Sequence, residues 1–123
     1  MEEKTLKVCE LNAGYIYEGP RFIRLGPYSG EEFRIKHLRS WLDSLEEGEV
    51  STVDFEGTEM YSPSFLEESF GGVIRLAKTK QEAENNRAKL NLVNFINMKP
   101  DWKKMLEEYI KNAKYDPKKT KDE

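Results

Sequence analysis

The stretch at residues 50–75, VSTVDFEGTEMYSPSFLEESFGGVIR, restricts the possible folds more than any other part of the chain. It opens with a short run, apolar at Val50, Val53 and Phe55, that suits a sheet interior. Asp54 lies near the end of the run, and Glu56-Gly57 supplies a turn. Ser62-Pro63-Ser64 then opens a helix. Proline favours the first helical position, which makes Ser62 the N-cap. Ser64 with Glu67 also fits a capping box, so the start can lie two residues later. A buried strand feeding a helix mouth is where open α/β sheets place ligand and partner sites.

The flanking segments extend this unit. Residues 5–11 (TLKVCEL) alternate and predict a first strand. Asn12-Ala13-Gly14 is a turn signal, Tyr15 to Tyr17 can extend a strand, and residues 21–25 (RFIRL) predict a second strand in a loose hairpin with the first. Ser29 with Glu32 is a capping box. Phe33, Ile35, Leu38, Trp41, Leu42 and Leu45 follow at mostly helical spacing, so a helix is expected over 30–46 with Gly48 as its C-cap. Leu66, Phe70, Val73, Ile74 and Ala77 form the buried stripe of a second helix. Its Gly71-Gly72 pair costs about 1 kcal/mol per glycine relative to Ala and points to close packing. Residues 78–88 read as a loop or a solvated helix extension, and residues 89–95 (KLNLVNF) as a strand ending near Asn94. Pro100 opens a third helix with a stripe of Trp102, Met105, Leu106, Tyr109, Ile110 and Ala113. The order β-β-α-β-α-β-α predicts an α/β fold, a small mixed sheet packed by helices. One domain is expected over residues 1–114, with a frayed, charged tail at 115–123.

With 37 % apolar residues at regular spacing, 123 residues suffice for one core. A net charge of −3 disfavours bulk attraction to nucleic acid or anionic lipid. The acidic N-terminus lacks signal-peptide layout, and no apolar run can span a bilayer, so a cytoplasmic location is expected. One cysteine and one histidine disfavour a disulfide and a structural zinc site.

VDFEGTEMYSPSFLEESFGG resembles the STAS-like domains of unknown function (DUF4325), which carry a strand ending Asp-Phe-x-Gly-Val and a Ser-x-Ser-Phe step into a helix. The stretch from Ser29 to Arg34 resembles that family's first-helix entry, and the likeness spans about residues 21–94. Related STAS domains include bacterial antagonists of anti-sigma factors, in which a serine at the helix start is phosphorylated by a GHKL-type kinase. Aligned from Asp54 and Gly57, Ser62 falls at the family aspartate, Pro63 at the phosphoacceptor and Ser64 at the second serine. The acceptor thus has no counterpart at its own position. The resemblance implies a non-catalytic regulatory module whose partner belongs to the GHKL-type ATPases or kinases.

Tyr61, Ser62, Ser64, Phe65 and Glu68 are the candidate partner contacts, with Ser62 and Ser64 also candidate modification sites. A phosphate at a helix mouth is electrostatically favoured. Asp54 and Gly57 are expected to brace the turn. The carboxylates Asp54, Glu56, Glu59, Glu67 and Glu68 raise the alternative of a metal-dependent hydrolase, although their spacing matches no ligand loop. The basic region containing Arg21, Arg24, Arg34, Lys36 and Arg39, with Tyr15, Tyr17 and Tyr28 nearby, raises nucleotide or nucleic-acid binding as another. Gly26, Gly57, Gly71 and Gly72 match neither a dinucleotide nor a P-loop pattern, so no cofactor is expected. His37 and Cys9 lack the neighbours that would make either catalytic.

Overall fold

The structure is a computed structural model that describes residues 3–11, 20–58 and 63–117. Three strands, β1 (Glu3–Lys7), β2 (Val50–Asp54) and β3 (Asn94–Ile96), form one sheet in the order β1-β2-β3. Both pairings are parallel. The register aligns Leu6, Val53 and Phe95 across the sheet, and all three are buried. The next row, Lys7, Asp54 and Ile96, points to the other face, where Lys7 and Ile96 are exposed. The strand order never reverses, so right-handed crossovers carry their helices to the same face of the sheet.

The first strand is shorter than expected. It ends at Lys7, and Val8–Leu11 forms a single helical turn that buries Val8. No strand forms at residues 21–25, where a 3₁₀ turn (Ile23–Leu25) leaves Ile23 and Leu25 exposed. The sheet is therefore parallel throughout its described strands, not mixed. Carbonyls that a hairpin would use are engaged elsewhere: Pro20 O accepts from Gly30 N–H at 2.9 Å and Arg21 O from Glu31 N–H at 3.0 Å. They satisfy orphan donors at the start of the next helix. The turn at residues 12–14 and the strand extension at 15–17 lie outside the described residues.

That helix, α1, covers residues 30–44 as an α-helical turn (Gly30–Phe33), a π-helical turn (Arg34–Leu38) and a final α-helical segment (Arg39–Ser44). Ser29 Oγ accepts from Glu32 N–H at 3.0 Å, the expected cap. The helix ends at an extended Leu45, ahead of the expected Gly48, which lies in the following turn. Lys89 Nζ donates to Leu42 O at 2.8 Å and Lys4 Nζ to Ser44 O at 2.6 Å, so two cations sit on the carbonyl end of α1.

Helix α2 covers residues 63–75 and also contains a π-helical turn, Glu67–Gly71, between Pro63–Leu66 and Gly72–Arg75. Its stripe is buried as expected. Phe70 packs edge-on against Phe95 of the sheet, with ring centroids 5.6 Å apart. Residues 80–92 are neither a loop nor an extension of α2. They form a separate helix, α3 (Lys80–Leu92), capped by Thr79, whose Oγ1 accepts from Glu82 N–H at 3.0 Å. The strand expected at residues 89–94 is displaced to Asn94–Ile96, because Leu90 and Val93 lie three apart and are buried at the end of this helix instead. Asn86 ties α3 to α2 through a buried bond from Nδ2 to Val73 O at 2.9 Å.

Helix α4 (Pro100–Asn112) buries Leu106 and Ile110, and Ala113 follows as a buried C-cap. Arg87 closes its C-terminus by donating to Ile110 O, Lys111 O and Ala113 O. Beyond it, Tyr115 packs against the core and Asp116 N–H donates to Arg75 O at 2.9 Å.

Candidate functional site

The site begins where β2 stops. Asp54 is buried, and its Oδ1 accepts from Glu56 N–H and from Asn97 Nδ2, each at 2.8 Å. The Asn97 bond, then the Glu56 bond, hold its carboxyl below the usual range, against the opposing effect of burial. The same residue thus closes its own turn and ties β2 to the segment after β3. Gly57 has φ +85°, and a Cβ there would lie 3.0 Å from Cys9 Sγ. The Cys9 thiol donates to Glu56 O at 2.9 Å. Thr58 folds back onto Phe55 O through both its N–H, at 3.0 Å, and its hydroxyl, at 2.6 Å. Tyr61 and Ser62 lie outside the described residues.

At the mouth of α2 exposure changes abruptly. Pro63 is exposed and Ser64 half-buried, whereas Phe65 is fully buried with its ring 5.6 Å from Phe33. Glu68 is 3 % exposed. Neither Phe65 nor Glu68 therefore offers a partner its side chain, contrary to expectation. The exposed face of α2 is also narrow: from residue 63 to residue 75, only Pro63, Ser64, Glu67 and Arg75 are not buried. The cause is the position of α2 against the sheet, α1 and α4, which covers it on several sides.

Glu67 and Glu68 instead anchor an ion network that spans three parts of the chain. Glu67 Oε1 accepts from Arg21 Nη1 at 2.6 Å, and Glu67 Oε2 from Arg75 Nη1 at 2.6 Å. Glu68 Oε2 accepts from Arg34 Nη2 at 3.2 Å, and its Oε1 from Arg21 Nη1 at 3.3 Å. Arg75 Nη2 lies 3.6 Å from Glu68 Oε1. Three guanidinia face these two carboxylates, and the charge of Asp116 also acts on Arg75. Burial alone would raise Glu67, but the bonds from Arg75 and Arg21 outweigh it and hold its carboxyl below the usual range. Burial likewise opposes the charge on Arg75, and Glu67 overcomes it, raising that guanidinium further.

The network lies where the two π-helical turns meet, with Arg34 starting one and Glu67 the other. Such turns recur at functional positions. Sequence reasoning missed this assembly because its partners stand 34 to 47 residues apart, the two Arg75 pairs excepted. One signal was present: the Gly71-Gly72 pair. It makes room chiefly for side chains, with the Tyr109 carbonyl of α4 3.7 Å from a Cβ on Gly71. A Cβ on Gly71 would lie 2.6 Å from Glu67 Oε2, and one on Gly72 3.0 Å from Arg34 Nε.

The remaining charged candidates are drawn into pairs of their own. Arg39 Nη2 lies 3.5 Å from Glu82, Lys36 3.9 Å from Glu32, and Arg24 stacks over Phe22 at 5.1 Å. With Arg21 and Arg34 in the network, residues 21–39 present no concentrated basic patch among the described residues. Nor do three or more His, Cys, Asp or Glu side chains converge as a metal site among the described residues. His37 is held below its ordinary pKa, first by burial and also by Lys36, with Glu32 opposing. No helix among the described residues is long and apolar enough to cross a membrane.

The family model for the STAS-like domain of unknown function (DUF4325) matches residues 29–100, more than half of the chain, and the chain belongs to that family. The match begins at the Ser29 cap and includes both π-helical turns and all of β2 and β3. No curated protein and no solved structure matches the chain.

Proposed function

We propose that this STAS-like domain is a non-catalytic regulatory module that docks a protein partner through the turn at residues 60–68 and the polar stripe of α2 beside it. The observation that carries this reading is the start of α2: Pro63 is exposed and Ser64 half-buried, while the helix behind them is packed on several sides and the end of the preceding strand is braced through Asp54. A rigid element with one accessible end presents a fixed surface at little ordering cost. Tyr61, Ser62 and Ser64 are the proposed contacts, and Glu67 and Arg75 extend the surface along the helix. Family membership supports a module of this type, and the partner class we propose is a GHKL-type ATPase or kinase. Modification of Ser62 or Ser64 would add about two negative charges at a helix N-terminus and alter the surface a partner meets.

The test is co-elution of the purified domain with a GHKL-type ATPase from the same host, with and without ATP, for the natural chain and for Ser64→Lys. Ser64 is half-buried at the helix entrance, so a long side chain can extend to solvent. Complex formation by the natural chain, and its loss in Ser64→Lys with an unchanged circular dichroism spectrum, is the expected result. Undiminished binding by a folded Ser64→Lys would remove the proposed surface. Absence of any complex with the natural chain would remove the partner class.

A further inference from the structure

A second surface lies away from the mouth of α2. The strand β3 has β2 on one side, and no strand flanks its other side among the described residues. Phe55 N–H donates to Ile96 O at 3.1 Å, so the Ile96 carbonyl points toward β2. Backbone groups alternate sides along a strand. The N–H and C=O of Phe95, one residue earlier, therefore point to the outer edge, although Phe95 as a whole residue is only 5 % exposed. A groove of about 590 Å³ runs along this edge. Asn94 and Ile96 of β3 line it together with Val50 and Thr52 of β2 and Asn91 of α3, and Lys103 and Glu107 of α4 line the other side. Asn91, Asn94, Lys103 and Glu107 are all exposed, and Ile96 is 41 % exposed.

We propose that this edge pairs with the same edge of a second copy of the chain, β3 against β3, about a two-fold axis at Phe95. Two features of the edge are self-complementary. First, an antiparallel pair centred on Phe95 sets each Phe95 N–H opposite the other copy's Phe95 C=O, so both outward groups are satisfied by one operation. Second, Lys103 and Glu107 stand one helical turn apart on the groove-facing side of α4. The axis that makes the strands antiparallel does the same to the two α4 helices, which sets Lys103 of each copy against Glu107 of the other. A groove rimmed by a single cation and a single anion in this arrangement matches itself. The pairing also removes an open strand edge, which is otherwise a site of uncontrolled association. Two backbone bonds and two exposed ion pairs place the dimer in the weak, transient class.

The experiment is sedimentation velocity up to about 1 mM, a range suited to weak association, on the natural chain, Lys103→Glu, Glu107→Lys and the double exchange. Both positions are exposed, so the variants retain the fold. The natural chain and the double exchange should dimerise. Each single variant brings like charges together twice per dimer and should self-associate about tenfold more weakly. An equimolar mixture of the two single variants restores both opposite-charge contacts and should associate again. Amide exchange at Phe95 should slow as the concentration rises. A chain that stays monomeric throughout the range overturns the proposal, and strand addition by a different protein then becomes the reading of this edge. Dimerisation that ignores the charge variants, or leaves Phe95 exchange unchanged, overturns it as well. None of these readings depends on Ser64 or on an ATPase partner.

Discussion

Gly30 sits where α1 crosses the start of α2, and a Cβ there would lie 2.6 Å from Phe65 O and 3.0 Å from Phe65 Cα. Those neighbours are backbone, so the helices themselves would have to separate. Gly30→Ala should therefore lower the stability by about 1–3 kcal/mol, seen as a lower urea midpoint at unchanged slope. Gly72 is a useful contrast, because a Cβ there meets Arg34 Nε at 3.0 Å and Cδ at 3.1 Å, atoms of a flexible side chain. Gly72→Ala should cost less than Gly30→Ala; the reverse order would mean that the network is stiffer than the helix crossing. The Arg34–Glu68 pair permits a second test, as both side chains are almost fully buried. Arg34→Ala leaves Glu68 with the partly exposed Arg21 and Arg75 and should cost about 3 kcal/mol. Adding Glu68→Met to an Arg34→Met background should recover part of the loss, since an apolar pair carries no desolvation penalty. If the double variant is less stable than Arg34→Met alone, the ions contribute net stability beyond their packing.

Elements with a strong local signal were legible in the chain. The cap at Ser29, the helix start at Pro63 and the stripes of α2 and α4 appear where their spacing places them, as does that of α1 apart from Ile35, which is exposed. Weak or short signals were not. The RFIRL alternation at residues 21–25 lasts only five residues, and its carbonyls serve the start of α1. Thr79 and Glu82 have capping-box spacing, yet a mean hydropathy dominated by Lys, Glu and Asn conceals a helix whose buried face rests on Ala83, Asn86 and Leu90. The π-helical turns have no sequence signature, and they decide which way Arg34 and Glu68 face. The α3 cap is open to measurement. Thr79→Ala should destabilise the protein by about 1 kcal/mol and speed amide exchange at Glu82, leaving α4 amides protected. Unchanged exchange at Glu82 would show that α3 is held by Asn86 and Leu90 without its cap.

At the scale of the molecule, three perturbed groups, two of which join separate elements, set one direction for the response to acid. Asp54 joins β2 to the segment after β3, Glu67 joins α2 to the 20–28 segment through Arg21, and His37 lies half-buried on α1. The pKa of His37 is lowered from 6.5, so the unfolded chain takes up its proton first as the pH falls. The associated stability is fully present above about pH 6.5 and declines through the lower, folded pKa. Asp54 and Glu67 are lowered from 3.8 and 4.5. Their contribution is complete above those values and is lost as the pH falls through the folded ones. All three slopes have the same sign, so the urea midpoint should be flat above about pH 7, decline gently below 6.5 and fall more steeply below about 4.5. His37→Gln should abolish the gentle limb alone. Glu67→Gln and Asp54→Asn should each start from a lower midpoint at pH 7 and show a shallower acid limb, because the proton-dependent part is already absent. A natural chain with the same midpoint at pH 7 and pH 3 would contradict the sign of all three shifts. A steep limb that survives both carboxylate substitutions would place the acid-sensitive joint elsewhere in the chain.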